Sequence, residues 1–259
     1  MSPHVVAGFT PPTPADFWQP LIGDGAWAVT RSMIVIVLSV ALIAALMNLA
    51  MKRMAVVPTK AQFAGEGIYN FVRNSIAIDV IGTREFRPFL PLLLTQFLLI
   101  LVNNLFGVVP FIQFPTFSRI GFAVAVTIVT YVVYHWVGVR RKGVAGYFKG
   151  LMPSGIPGWI APFVYLLELM TFFITRPLTL GMRLFANMFA GHMLLLVFIL
   201  GGEFMLLHGA NLFVNISSFG AFVMGIVMTF FEMLVQFLQA YVFVLLTALY
   251  IAGSLAEEH

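Results

Sequence analysis

Residues 178–200 read LTLGMRLFANMFAGHMLLLVFIL, and Arg183 stands inside this otherwise apolar run. An arginine at such a place faces either lipid or a buried interior, and at the centre of a bilayer it costs about 2.5–3.5 kcal/mol on insertion scales. Arg183 therefore needs a reason, and the rest of the chain is read for one. The 259 residues are 61% hydrophobic and 9% charged, against about 25% charged in soluble domains. Mean hydropathy is +0.99. The pattern predicts an all-α polytopic membrane protein for which the bilayer is the main solvent.

Several classes drop out at once. The net charge of +4 does not point to nucleic acid, because ten of the fourteen basic residues fall in two segments beside hydrophobic runs, where topology charges belong. There is no cysteine, so disulfide, iron–sulfur and thiolate chemistry are excluded. The five histidines are scattered, and neither a metal site nor a cofactor is expected. The first thirty residues carry Pro3, Pro11, Pro12, Pro14 and Pro20 with Asp16 and Asp24. They lack a basic stretch followed by an apolar one, so no cleavable signal is expected and residues 1–31 read as an irregular outer segment.

Taken in order, one membrane domain covering 1–259 is expected. Its first span is 32–51, ending at Lys52-Arg53. Residues 60–82 mix Glu66, Arg73 and Asp79 with Phe63, Ile68, Phe71, Val72, Ile76 and Ile78, the pattern of an amphipathic helix on the membrane surface. Spans follow at 89–109, with Gln96, Asn103 and Asn104 inside and Pro110 after it, and at 120–137, closed by Arg140-Arg141-Lys142. Two apolar segments remain, 160–204 and 212–252. Each is ~60 Å as continuous helix, about twice the ~30 Å of hydrocarbon, so each is either broken or strongly tilted. Pro177 is a candidate kink. Gly201-Gly202-Glu203 and His208-Gly209 read as the turn between them. Lys52, Arg53, Lys60, Arg73, Arg84 and Arg87 precede the second span, and Arg140, Arg141, Lys142 and Lys149 follow the third. With five crossings both groups lie on the cytoplasmic side, the N-terminus outside and the C-terminal Glu257-Glu258-His259 inside.

The intramembrane polar residues are patterned. At 100° per residue from Glu168, the positions of Thr175, Arg176, Thr179, Arg183 and Asn187 fall within about 120° of one another, with Ala186 and Ala190 among them. Small residues beside a charge let another helix approach. His192 and Glu203 lie together on a different face, so the segment suggests two half-paths that do not join. In the last segment Glu232, Gln236, Gln239, Thr229, Thr247 and Tyr250 share one stripe, suited to a proton relay or a water-lined face. A hairpin would set Glu232 roughly opposite the stretch from His192 to Arg183. Plain structural roles compete. His192 or Gln236 alone can be an interhelical hydrogen-bonding residue worth about 0.6 kcal/mol. The threonines, Thr171, Thr175, Thr179 and Thr229, bond their own helix, and Arg176 snorkels. Glu168, Arg183 and Glu232 are harder to dismiss at such depth. The counter-charge of Arg183 is either Glu232 across the hairpin or an anion on a second protein.

The string RPLTLGMRLFANMFAGHMLLL at 176–196 resembles the signature of subunit a of F-type ATP synthases, and LVQFLQAYVFVLLTALYIAGSLAEEH at 234–259 is similar to the last helix of that family. The resemblance extends to NNLFGVVP and GVRRKGVAGYFKG. It implies a bacterial plasma-membrane subunit, with a long tilted hairpin set against a ring of c subunits. Partners are that ring, the peripheral-stalk b subunits and the remainder of the synthase. By the same resemblance Arg183 faces the ring carboxylate and blocks leakage between two half-channels, with Asn187 and Gln239 near it. Glu168 belongs to the cytoplasmic half-channel, and His192 and Glu232 to the outer one. Glu203, Gln236, Asn104 and Thr175 are secondary candidates. Familiar relatives carry Glu where this chain has His192 and His where it has Glu232, so the pair is exchanged here. Some have an acid in place of Gly107. An ion-coupled secondary transporter or channel is the competing class, but no internal repeat supports it. No nucleotide-binding motif is present, so the chain is not expected to be an enzyme by itself.

Overall fold

The computed structural model describes residues 12–13, 20–23, 28–51, 55, 57–109, 112–152, 156–209 and 211–256. The basic pair Lys52-Arg53, the turn residue Pro110, Pro3, Pro11, Pro14, Asp16, Asp24 and the C-terminal Glu257, Glu258 and His259 lie outside the described residues. The fold is all-α and polytopic: α1 (Arg31–Met51), α2 (Lys60–Val72), α3 (Leu90–Phe106), α4 (Ile120–Lys149), α5 (Ala161–Met170), α6 (Arg176–His208) and α7 (Leu212–Leu255). Four helices among the described residues are long and apolar enough to cross a membrane: α1, α4, the composite Ala161–His208 and α7, with α3 as a shorter apolar helix. Part of the outer segment is regular, not irregular as its prolines suggest: β1 (Pro20–Ile22) pairs antiparallel with β2 (Val29–Thr30) just before α1.

Hydrocarbon offers no partner to a free backbone N–H or C=O, so long spans stay helical even across helix breakers. Pro177 shows how. It lacks the N–H of a normal helical residue and its ring crowds the preceding turn. The chain answers with a π-helical turn at Thr171–Thr175, directly before α6. The Phe172 carbonyl in that turn accepts from the Tyr134 hydroxyl at 3.1 Å. The two long helices thus span 48 and 44 residues, ~72 and ~66 Å at 1.5 Å per residue, and fit a bilayer only obliquely.

The hairpin turn is tighter than its glycines suggest. Gly201-Gly202-Glu203 belongs to α6, which runs on to His208, and only Gly209 to Asn211 separates the helices. Gly202 is there for close packing. A Cβ on it would meet Ala221 at 3.3 Å and Phe222 at 3.4 Å, and its carbonyl accepts from the Ser218 hydroxyl at 2.7 Å. Small residues that admit a neighbouring backbone are the usual currency of membrane packing.

The core lies where α3, α4, α6 and α7 meet, around Leu93, Phe97, Ala123, Leu184, Met188, Phe243 and Val244. Residues 60–82 contribute to it. Thr59 caps α2, whose helix continues as a π-helix at Arg73–Ile81, and Val72, Ile76 and Ala77 are fully buried in the core. The apolar face of this segment is therefore turned partly to protein rather than wholly to lipid. A second cluster gathers Tyr134, Tyr147, Phe172 and Ile251. It forms because α4 continues past Arg140-Arg141-Lys142, where a stop was expected, and bends at Gly143 (φ 72°, ψ 165°). The chain then brings Tyr147 onto Gly138, where a Cβ would collide with the tyrosine ring, and Tyr147 hydrogen-bonds His135 Nδ1 at 2.6 Å.

Gly143 has open space around its missing side chain, so replacing it tests backbone conformation alone. Gly143→Ala is expected to destabilise the protein by about 1–3 kcal/mol, read as a lower Tm in detergent. Gly146→Ala, at a helical glycine with room for a Cβ, is expected to leave Tm unchanged or raise it.

Candidate functional site

The stripe on α7 is a buried seam. Glu232, Gln236, Gln239 and Thr247 are all buried despite their polarity. Gln236 donates through Nε2 to Glu232 Oε1 at 2.9 Å, one helical turn away. Asn104 of α3 donates to the Gln236 carbonyl at 3.2 Å. Asn187 of α6 donates to Gln239 Oε1 at 2.6 Å. The antiparallel register also sets Glu232 against Gly191, where a Cβ would lie 3.0 Å from the carboxylate oxygen. Any larger residue would make the acid shift by at least a few tenths of an ångström.

These groups surround a cavity of about 220 Å3, lined by Asn104, Asn187, Gly191, Glu232, Gln236 and Gln239 together with apolar residues of α6 and α7. Four of its buried polar atoms have no partner among the described residues: Asn104 Oδ1, Glu232 Oε2, Gln236 Oε1 and Gln239 Nε2. The walls are otherwise mostly apolar, and a cavity of this size has room for several waters at ~30 Å3 each, held at these polar atoms. The arrangement can bind, orient and pass a proton or a small hydrated ion. Nothing in it supplies a nucleophile and base pair.

Arg183 lies on the opposite kind of surface. It is exposed on α6, together with Thr179, Ala186, Asn187 and Ala190, while Leu184 and Met188 on the other side of the helix are buried. Among the described residues Arg183 makes no ion pair or hydrogen bond; the one salt bridge there joins Arg141 to Glu85 at 3.2 Å. Glu232 does not neutralise it, because that carboxylate is turned to Gln236 and Gly191. Of the two expected sources of counter-charge, the one within the chain is removed. Asn187 joins the two surfaces, exposed beside Arg183 yet bonded to the buried Gln239.

The remaining candidates are more scattered. His192 is buried and hydrogen-bonds to the backbone of Gly107. Glu203 is exposed, three turns beyond His192. The two keep a common phase on the unbroken α6, but the helix is packed among others at His192 and open at Glu203. Glu168 is half-buried on α5, and Thr175 is exposed. The uniform 100° spacing that put Glu168 in phase with Arg183 fails across the π turn at Thr171–Thr175. The extra residue in that turn rotates one end against the other by ~100°. Thr179 and Thr229 bond their own helix, to Thr175 and Gly225. Arg176 does not simply reach for water: its guanidinium lies 4.0 Å from the Phe172 ring centroid and 5.3 Å from that of Tyr250.

Sequence reasoning missed the polar clamps that hold the scaffold. Asn103 donates to Ser39 of α1 at 2.8 Å. Gln96 donates to Thr130 at 2.9 Å, and Thr130 meets Thr247 at 3.3 Å. Thr127, Thr130 and Tyr134, spaced by three and four on α4, were the available signal.

Fold and site define a polytopic membrane protein whose helical hairpin couples a buried polar seam to an arginine on an open face. The sequence model of the family described as ATP synthase A chain matches residues 32–252, and this chain belongs to that family. It is 45% identical over 264 residues to ATP synthase subunit a of a Nocardioides species, covering 97% of this chain and 95% of that one. It is 40% identical to the subunit a of Pseudarthrobacter chlorophenolicus, covering 97% and 95%, and 35% identical to that of Streptomyces lividans, covering 99% and 92%.

The contact between Gly191 and Glu232 is open to test. Gly191→Val is expected to push the carboxylate off Gln236 and lower Tm by several degrees. Gly201→Val, where no atom lies within 4 Å of the added Cβ, is expected to change Tm by much less. Equal effects would remove the case for a dedicated fit.

Proposed function

We propose that this chain is the proton-translocating stator subunit of a rotary F-type ATP synthase, with 1–259 acting as a single membrane domain. The observation that carries this reading is Arg183, a cation exposed on α6 without an ion-pair partner among the described residues. The small Ala186 and Ala190 on the same exposed face favour the approach of a partner helix. A ring of c subunits carrying a carboxylate is the partner that completes it, and the b subunits of the peripheral stalk hold the chain against rotation. The basic clusters at 52–87 and 140–149 support a topology with those loops and the C-terminus in the bacterial cytoplasm and the N-terminus outside.

In the proposed cycle a proton enters from outside past Glu203, His192 and Glu232. It crosses the cavity between α6 and α7, with Gln236 and Asn104 as supporting groups, and reaches a ring carboxylate beside Asn187 and Gln239. The neutral acid can face lipid, which the carboxylate cannot do cheaply. After nearly a full rotation it meets the cytoplasmic half-path at Thr175 and Glu168, where the Arg183 cation favours the ionised form and releases the proton. Arg183, always charged, is the barrier between the half-paths. One charge moved through 100 mV yields about 2.3 kcal/mol, so several protons combine for each ATP, whose chemistry is left to other subunits.

Arg183→Ala is expected to abolish ATP-driven proton pumping in vesicles that hold the assembled complex. Retained pumping would falsify the proposal. His192 and Glu232 test the outer half-path. If they form one relay, His192→Glu with Glu232→His restores pumping above either single change; equal loss in all three variants contradicts a shared relay.

A further inference from the structure

A second concavity lies at the other end of α3 from the polar seam, with a volume of about 540 Å3 by the same measure. Its lining divides in two. Tyr69, Arg73 and Arg87 are its polar residues, and Leu90, Pro91 and Leu94 at the start of α3 are apolar. Phe86 also lines it, with the Arg73 guanidinium 5.8 Å from its ring centroid.

The charge here is unbalanced. Among the described residues neither Arg73 nor Arg87 has an ion pair. Arg73 reaches only the neutral Asn74, at 3.4 Å. The nearby acids are engaged or turned elsewhere. Glu85 pairs with Arg141 at 3.2 Å, Glu66 accepts from Gln62 at 2.7 Å, and the exposed Asp79 does not line the concavity. Two guanidinium groups beside a phenol are suited to the oxygens of a phosphate. A free phosphate would leave the apolar half unused. That half belongs to a helix rich in Leu, Ile and Phe, so whatever fills the site carries an anion at one end and hydrocarbon at the other.

We propose that the concavity binds an anionic phospholipid, its phosphodiester between Arg73 and Arg87 and an acyl chain laid along Leu90, Pro91 and Leu94. Basic pockets beside membrane helices recognise acidic headgroups by this chemistry. The site is separate from Arg183 and the polar seam, so its failure leaves the proposed function untouched. Phe86 and Leu90 in its lining belong to the same core cluster as Val72, Ile76 and Phe97.

The test is mass spectrometry of the intact chain released from vesicles of equal phosphatidylglycerol and phosphatidylcholine, repeated on the assembled complex. One retained phosphatidylglycerol is expected, favoured about fivefold over phosphatidylcholine. Arg73→Gln with Arg87→Gln is expected to bring the ratio near one, Arg73→Lys with Arg87→Lys to keep most of it, and Arg140→Gln with Lys142→Gln to leave it unchanged. Equal retention of the two lipids by the wild-type chain overturns the proposal without any variant. So does an unchanged ratio in the double glutamine variant. Selectivity present in the isolated chain and lost on assembly also overturns it, assigning the face to an acidic protein partner.

Discussion

Hydrocarbon solvates neither a charge nor an unpaired backbone dipole, and this constraint accounts for the buried polar groups between the helices. Glu232, Gln236 and Gln239 turn inward on α7 and meet Asn104 and Asn187 from two other helices. Ser39, Gln96, Asn103, Thr130 and Thr247 find one another across helix interfaces. Pro177 is accommodated by a π turn, with a tyrosine hydroxyl on one of its carbonyls. Arg183 departs from the rule, placed on an open apolar face with its charge unmatched among the described residues.

Magnitudes argue against a purely structural role for this exception. Interhelical hydrogen bonds in membranes average about 0.6 kcal/mol, so clamps such as Asn103 to Ser39 or Gln96 to Thr130 each stabilise only modestly. An arginine at mid-bilayer costs about 2.5–3.5 kcal/mol, as much as about four to six such clamps, and among the described residues no ion pair or hydrogen bond offsets it. A residue retained on those terms is best explained by a counter-charge supplied from outside the chain. Asn187 gives that surface a link to the interior, because the same side chain is exposed beside Arg183 and bonded to Gln239 in the buried seam.

The helical class and the two over-long segments were legible in the sequence, because composition and run length report directly on the solvent a helix lives in. The α7 stripe was legible too: a period of 3.6 residues holds through an unbroken helix, and Glu232, Gln236, Gln239 and Thr247 are all buried along it. The phase between Glu168 and Arg183 was not, because the π turn lies between them. Nor was the role of the glycines. Gly201-Gly202 looked like a turn, yet both lie inside α6 and Gly202 is a packing site, while Gly191 is where Glu232 fits. Composition cannot distinguish these uses; only the position of the facing helix does. The bend at Gly143 escaped for a related reason, since the three basic residues before it suggested an end to the helix rather than a fold-back onto Gly138.

The chain has no cysteine, so one thiol can be introduced on the face that carries Arg183 without background. The most direct measurement is cross-linking from Ala186→Cys in the assembled complex to single cysteines placed along the ring helix. If the face meets the ring, cross-links form only at the depth of the ring carboxylate and its near neighbours. A thiol that forms no cross-link at any depth, yet reacts with a lipid-soluble maleimide in the intact complex, would show that Arg183 faces lipid and contradict the account.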